Sequence, residues 1–176
     1  MLDDPVAYLD NACVTLKPQS VIDSIQDYYI NTPGCGGRSV HRYGTHVSKS
    51  ISQSRKKLAN FFSAPSVNEI VFTRNATHSL NQIAKGLEWN KGDVVLTTDR
   101  EHNSNLVPWL QLEQEQGIDH RVVRSNQDNT FNLESFEEAC AEAGTKLKMV
   151  SMSHVGNLDG VETPVKEITK IAKDYG

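Results

Sequence analysis

From Glu69 onward the chain alternates short β-branched runs with stretches of helical periodicity, and that alternation is what a parallel sheet covered by helices requires. Candidate strands are Glu69 to Thr73 ("EIVFT"), Asp93 to Thr98 ("DVVLTT"), His120 to Arg124 ("HRVVR") and Leu147 to Met152 ("LKMVSM"), each too short for a helix and bounded by turn residues or charge. Between them, Leu80, Ile83, Ala84 and Leu87 mark a helix over 77–87, and further helices are read over 105–116 and 133–143. Val165, Ile168, Ile171 and Ala172 repeat the pattern over 165–175. The predicted fold is an α/β three-layer sandwich around a mainly parallel sheet. A strand is due after the last helix, so the sheet is expected to be incomplete at its C-terminal side. An open sheet edge and uncovered apolar helix faces would make the isolated chain prone to associate.

Before Glu69 the pattern is looser. A short extended "AYLDNA" precedes a helix from about Pro18 to Tyr29, and another helix is read from about Lys49 to Phe62. Between them, Thr32-Pro33-Gly34-Cys35-Gly36-Gly37 is dense in helix breakers, and His41, Arg42, Tyr43 and His46 follow, so this stretch reads as a loop. Loops rich in polar aromatic and cationic groups often carry sites; the same residues would also serve as a plain solvated connection. No internal repeat or low-complexity tract marks a further independent domain. The chain therefore divides into 1–68, helices with a loop, and 69–176, the start of an α/β domain.

Composition narrows the function classes. At 176 residues, with 38% apolar and 23% charged residues, the chain can bury roughly 70% of its unfolded surface without disulfide or metal staples. The formal charge of -4, with no basic tract, argues against nucleic acid as a partner. No apolar run is long enough to span a bilayer, and Met1-Leu2-Asp3-Asp4-Pro5 has neither the basic start nor the apolar core of a secretory signal. Cys13, Cys35 and Cys140 lack C-x-x-C spacing, so no metal site is expected and they read as free thiols in a reducing cytoplasm.

Three polar clusters follow candidate strands, where ligands gather in open α/β sheets. The first, Thr73 to Asn81, opens a helix: its leading N–H groups lack intrahelical partners, the dipole favours an anion there, and Thr77 and Ser79 add hydroxyls. The turn suits a phosphate, or simple N-capping by Asn75 or Thr77. The second is Arg100-Glu101-His102-Asn103-Ser104-Asn105 and the third Ser153-His154-Val155-Gly156-Asn157. A lone His after a strand is commonly structural, but the three clusters converge on one sheet edge and together suggest a shared pocket.

Over nearly its whole length the chain resembles the cysteine desulfurases of the class V aminotransferase family. The matching stretches are "YLDNACVTLKP" (Tyr8 to Pro18), "VHRYGTHVS" (Val40 to Ser48), "FTRNATHSLNQIAKGL" (Phe72 to Leu87), "EHNSNLVPW" (Glu101 to Trp109) and "SHVGNLDGVETPV" (Ser153 to Val165). "EHNSNLVPW" and "SHVGNLDG" are most similar to the branch of SufS-like desulfurases and selenocysteine lyases, whereas "ATHS" looks like the other desulfurase branch.

The resemblance implies the large domain of a fold-type I enzyme and pyridoxal 5'-phosphate as cofactor. Ala76 and Thr77 match positions that hold the cofactor phosphate. His102 matches the histidine that stacks on the pyridine ring and takes part in proton transfer, and Asn157 the residue that hydrogen-bonds the ring oxygen. His41 and Arg42 match a loop at the mouth of the substrate pocket. The activity implied is removal of sulfur from L-cysteine, giving alanine and an enzyme-bound persulfide, with sulfur passed to an acceptor protein for iron–sulfur cluster assembly. A cytoplasmic homodimer is implied for the complete enzyme.

Departures qualify the match. His78 stands where relatives usually carry an acidic residue, and an imidazolium at a helix N-terminus is disfavoured by the dipole unless a bound anion offsets it. The family's cofactor-bonding Lys, pyridinium-pairing Asp, substrate-binding Arg and persulfide Cys fall beyond Gly176 in the resemblance. This chain alone is thus expected to be inactive, as the N-terminal portion of a longer enzyme or one half of a split one completed by a complementary C-terminal half. Readings that remain beside it are another class V enzyme, acting on a related amino acid (selenocysteine lyase, aminotransferase, kynureninase-like hydrolase), and a non-catalytic fragment or binding module.

Overall fold

A computed structural model describes residues 7–175; the Met1–Pro5 start read above and the final Gly176 lie outside them. The chain divides into two compact units, the first ending at Phe72 and the second beginning at Thr73.

The first unit is built on two helices, α1 (Gln19–Asn31) and α2 (Arg42–Phe61). The second helix begins earlier than the sequence pattern indicates. His41, Arg42, Tyr43 and His46 were expected on a loop, yet His41 is the N-cap of α2 and the other three lie within it. The physical reason is an unusual cap: His41 Nδ1 accepts the Gly44 N–H at 3.4 Å, so an imidazole takes the place of the usual Ser, Thr, Asp or Asn. Gly44, normally a poor helix former, is needed for close approach. A Cβ there would come within 2.6 Å of Ser39 Cβ and 2.7 Å of its carbonyl oxygen. The Gly-rich segment is in turn strapped to the helix, where Gly37 donates its N–H to Ser48 Oγ at 2.8 Å.

The strand expected over Glu69 to Thr73 does not form. Val67–Glu69 make a short 3-10 turn, and 70–73 take no strand partner among the described residues. A strand requires a ladder. Here the Ile70 carbonyl instead accepts a hydrogen bond from Arg55 Nε at 3.1 Å, and the Arg55 guanidinium lies 5.2 Å from the centre of the Phe72 ring.

The second unit carries the remaining strands where the periodicity puts them. In chain order it runs α3 (Ala76–Gly86), β1 (Val94–Thr98), α4 (Asn103–Gln116), β2 (Asp119–Val123), α5 (Leu133–Ala143), β3 (Leu147–Val150) and α6 (Val165–Asp174). The strands form one parallel sheet in the order β2-β1-β3. Every residue of β1 is buried, as befits a central parallel strand covered on both faces. Its alternation divides the core in two. Val94 and Leu96 pack with Val123, Phe136, Cys140, Ala143 and Ile168 beneath α5 and α6. Val95 packs with Ala84, Trp109, Leu112 and Ile118 beneath α3 and α4. The α/β layering inferred from the sequence is therefore present, with helices on both sides of the sheet. Cys140 belongs to this packing: burial, with Glu137 adding to it, pushes its thiol up to about 11, which suits an inert core thiol.

The polar link between β1 and β2 is titratable. Thr97 is fully buried, and its Oγ1 lies 2.9 Å from His120 Nε2. Burial lowers the His120 pKa below its ordinary 6.5, against the opposing pull of Glu113 and Asp119. As pH falls through about 6.5, the unfolded chain takes up a proton that the folded chain resists, so stability is greatest above that pH and declines toward the lower folded pKa. The urea midpoint of the wild-type chain is expected to drop more between about pH 7.5 and 5 than that of His120→Gln. Parallel pH profiles for the two would contradict this origin.

Candidate functional site

The polar groups gather at the carboxyl end of the sheet, as expected for an open α/β arrangement. The chain leaving β1 through Asp99-Arg100-Glu101-His102 enters α4, and the chain leaving β3 runs through Ser153 into a segment that folds back on itself. Thr163 N–H bonds the His154 carbonyl at 2.8 Å, Gly156 N–H bonds Val161 O at 2.9 Å, and Val155 bridges Glu162. Between these two connections lies a cleft of about 410 Å³, lined by Asp99 to Asn103 and by Gly156 to Asp159. His102 and Asn157 share it.

His102 is the N-cap of α4. Its Nδ1 accepts the Ser104 N–H at 3.1 Å and lies 2.8 Å from Ser104 Oγ. With Nδ1 acting as acceptor, a neutral imidazole carries its proton on Nε2. The ring is exposed. Asn157 begins the turn at the tip of the folded-back segment and is also exposed; no hydrogen bond from its side chain is found among the described residues.

Ala76 and Thr77 occupy the first two positions of α3, exposed, but they do not line the cleft shared by His102 and Asn157. The N-cap is Asn75, whose Oδ1 accepts the His78 N–H at 2.9 Å. Capping therefore occupies the N–H of His78 and leaves those of Ala76 and Thr77 pointing out of the helix start. His78 folds back so that Nδ1 accepts the Arg74 N–H at 3.4 Å. Thr73 Oγ1 and Ser79 Oγ lie 2.7 Å apart. His41 and Arg42 belong to the first unit, at the exposed start of α2.

A residue that sequence reasoning passed over organises the floor of the site. Glu101 takes Thr98 Oγ1 at 2.7 Å on one oxygen and Asn105 Nδ2 at 2.7 Å on the other, and Ser153 donates both its N–H, at 3.0 and 3.1 Å, and its hydroxyl, at 2.7 Å. Behind it, buried Asn105 donates to the Ser151 carbonyl at 3.1 Å and accepts from Ser151 Oγ at 2.5 Å and Trp109 Nε1 at 3.3 Å. No spacing signal pointed to it: Glu101 precedes the N-cap His102, outside the helix, and its partner Ser153 lies 52 residues further along the chain. Arg100 reaches the opposite way, to Asn129 Oδ1 at 2.7 Å and to the Asp159 carboxylate. The Val161 N–H, and after it Arg100, hold the Asp159 carboxyl below its usual range, against an opposing desolvation cost.

The family model for the class-V aminotransferases matches residues 7–176. The chain belongs to that family. A probable cysteine desulfurase of Synechocystis sp. is 35% identical over 175 residues, covering 98% of this chain and 41% of the relative. The apo structure of a cysteine desulfurase from Thermococcus onnurineus NA1 superposes with a TM-score of 0.87 at 34% identity, across 95% of this chain and 41% of that one. A variant of the protein C-DES with glycine covalently linked to its PLP cofactor matches with a TM-score of 0.80, covering 96% of this chain and 43% of that one; at 23% identity it shows the fold alone. The fold is thus that of the N-terminal part of the fold-type I desulfurases. The chain spans less than half the length of the curated relatives it matches, 41% of the Synechocystis protein.

The buried amide of Asn105 ties the two connections of the site together. Asn105→Leu, which keeps the branched shape but replaces both polar atoms with methyl groups, would leave the Trp109 N–H and the Ser151 hydroxyl without partners. An expected loss of about 1–3 kcal/mol in urea unfolding follows. Ser151→Ala should then cost less in that background than in the wild type, because the two groups act as one network. Independent, additive losses would show that the network is not coupled.

Proposed function

We propose that this chain is the N-terminal part of a pyridoxal 5'-phosphate-dependent cysteine desulfurase, an enzyme that takes sulfur from L-cysteine, leaving alanine and an enzyme-bound persulfide. The observation that carries this reading is the cleft shared by His102 and Asn157 at the carboxyl end of the sheet, in a chain that aligns along 98% of its length with a probable desulfurase. The donor set fits the cofactor. Ala76 and Thr77 offer outward N–H groups at a helix start, with the Thr77 hydroxyl beside them, suited to a phosphate. His102 offers a flat ring, and Asn157 an amide not committed elsewhere among the described residues. When bound, the cofactor supplies an electron sink for the substrate carbanion.

The chain's own residues then have separable tasks. Ala76 and Thr77 bind the phosphate and set the cofactor's position. Asn157 donates to the ring oxygen. His102 is anchored through Nδ1 by Ser104, so its ring is oriented and Nε2 is the atom that would hold or move a proton. His41 and Arg42 are assigned to substrate binding on the family resemblance alone. The complete enzyme would work as a homodimer in the cytoplasm and pass sulfur to an acceptor protein for iron–sulfur assembly. The free thiols of Cys13, Cys35 and Cys140 are in keeping with a reducing compartment, and no helix among the described residues is long and apolar enough to cross a membrane.

The assay uses the polypeptide that contains this chain together with the rest of the catalytic domain, supplied with pyridoxal phosphate, a thiol reductant and L-cysteine. Alanine and sulfide are expected in equal amounts, and His102→Gln should lower the turnover number by about 10²–10⁴-fold, the range of a lost general acid–base. Turnover of selenocysteine but not cysteine would move the assignment to a lyase of that substrate. Absence of any amino-acid turnover and of visible cofactor absorbance would replace the enzyme with a binding module.

A further inference from the structure

We propose that Arg100 and Glu101 are positioning residues that hold the Asn157 segment against His102 from both ends, so that the cleft is set before any ligand arrives. The inference rests on the cofactor reading of that cleft and concerns what keeps it in shape. These adjacent side chains diverge. Glu101 takes the N–H and hydroxyl of Ser153, where the segment leaves the sheet. Arg100 takes the carboxylate of Asp159, just past the turn that Asn157 opens. Asn157 therefore lies between two charge-assisted anchors, and His102 is the next residue along the same connection.

The geometry of the turn supports the same role. Gly160 N–H bonds the Gly156 carbonyl at 2.9 Å and Val161 N–H bonds Asp159 Oδ1 at 3.0 Å, so the turn presents that carboxylate to the guanidinium. A Cβ on Gly156 would run into the Asp159 carboxylate, and glycine leaves that space open. Both anchors are also held from behind. Thr98 Oγ1, at the end of β1, donates to Glu101 while accepting the Arg100 N–H at 3.2 Å, and Asn129 holds the other nitrogen of the Arg100 fork. The Asn157 side chain has no bond of its own among the described residues, so its direction follows from the anchored backbone. Ionised partners and a two-pronged guanidinium give such anchors more strength and more directional control than neutral hydrogen bonds would.

The test reads order and binding separately, by amide hydrogen exchange and ¹⁵N relaxation on the polypeptide that contains this chain together with the rest of the catalytic domain, and on its Glu101→Gln, Arg100→Met and Arg100→Lys variants. Glu101→Gln preserves shape but presents an amide to the Ser153 donors; exchange of the Ser153 N–H is expected to rise at least about tenfold. Arg100→Met should lower the order parameter of Asn157, and Arg100→Lys should recover part of it, because a lysine reaches one partner rather than two. Amides of β1 and of the second half of α4 should keep their protection throughout. Added pyridoxal 5'-phosphate should shift His102 and Asn157 resonances in the wild type and shift Asn157 less in Glu101→Gln and Arg100→Met.

An Asn157 that stays equally ordered in both disruptive variants overturns the proposal. So does a loss of β1 protection that accompanies every loss of order at Asn157, since the pair would then support only the fold as a whole. If the coenzyme shifts neither residue in the wild type, the cofactor reading fails, and the anchoring is still decided by exchange and relaxation.

Discussion

Complete burial of the central strand governs the second unit. Because β1 is enclosed on both faces, its Val94 and Leu96 must meet one helical layer and its Val95 the other, and its backbone groups are committed to strands on both sides. Nothing along its length is free for chemistry. Function is pushed to where the strand stops, and there the chain changes character abruptly, from apolar residues to Thr97, Thr98, Asp99, Arg100, Glu101 and His102. The same enclosure explains how a carboxylate can sit at that boundary. Glu101 is surrounded by donors from β1, α4 and the connection after β3, and its removal from water is compensated by those bonds.

The site is consequently layered. Asn105 and Ser151 join α4 to the end of β3 inside the molecule, Glu101 and Arg100 stand above them, and His102 and Asn157 form the exposed surface of the cleft. Hydrogen bonding thins outward, from bonds among buried groups to the Asn157 side chain, which makes none among the described residues. That gradient would suit the cofactor-binding role proposed for the cleft, because donors held in place before binding need not be ordered at the expense of affinity. The helix start at Ala76 and Thr77 is a separate element: Asn75 satisfies the N–H of His78, and the earlier amides have no partner within the helix.

Legibility differed between the units. Over 93–175 every strand and helix lies within about two residues of the periodicity, within ordinary end-fraying, because each has its own hydrophobic rhythm. His102 and Asn157 could be singled out by their position after strands, and the structure brings these two into one cleft. Glu101 could not, since its importance comes from Ser153, a residue far away in sequence. In the first unit, "EIVFT" has strand composition but finds no ladder, and Arg55 takes the carbonyl a neighbouring strand would have used. The "VHRYGTHVS" stretch looks like a loop because glycine and a histidine stand where a helix start normally has better formers, and the close approach of Ser39 to Gly44 reverses that expectation.

By itself the sequence determined the alternation of strand and helix, hence the parallel sheet and the edge at which polar residues collect, since periodicity and burial are local in origin and persist wherever a core exists. It also carried the family membership. Tertiary structure alone decided the partners of particular groups: Ser153 on Glu101, Asp159 on Arg100, His120 on Thr97. Hydrogen bonds and ion pairs act over a few ångströms, and only the folded chain brings residues so distant along it within that reach.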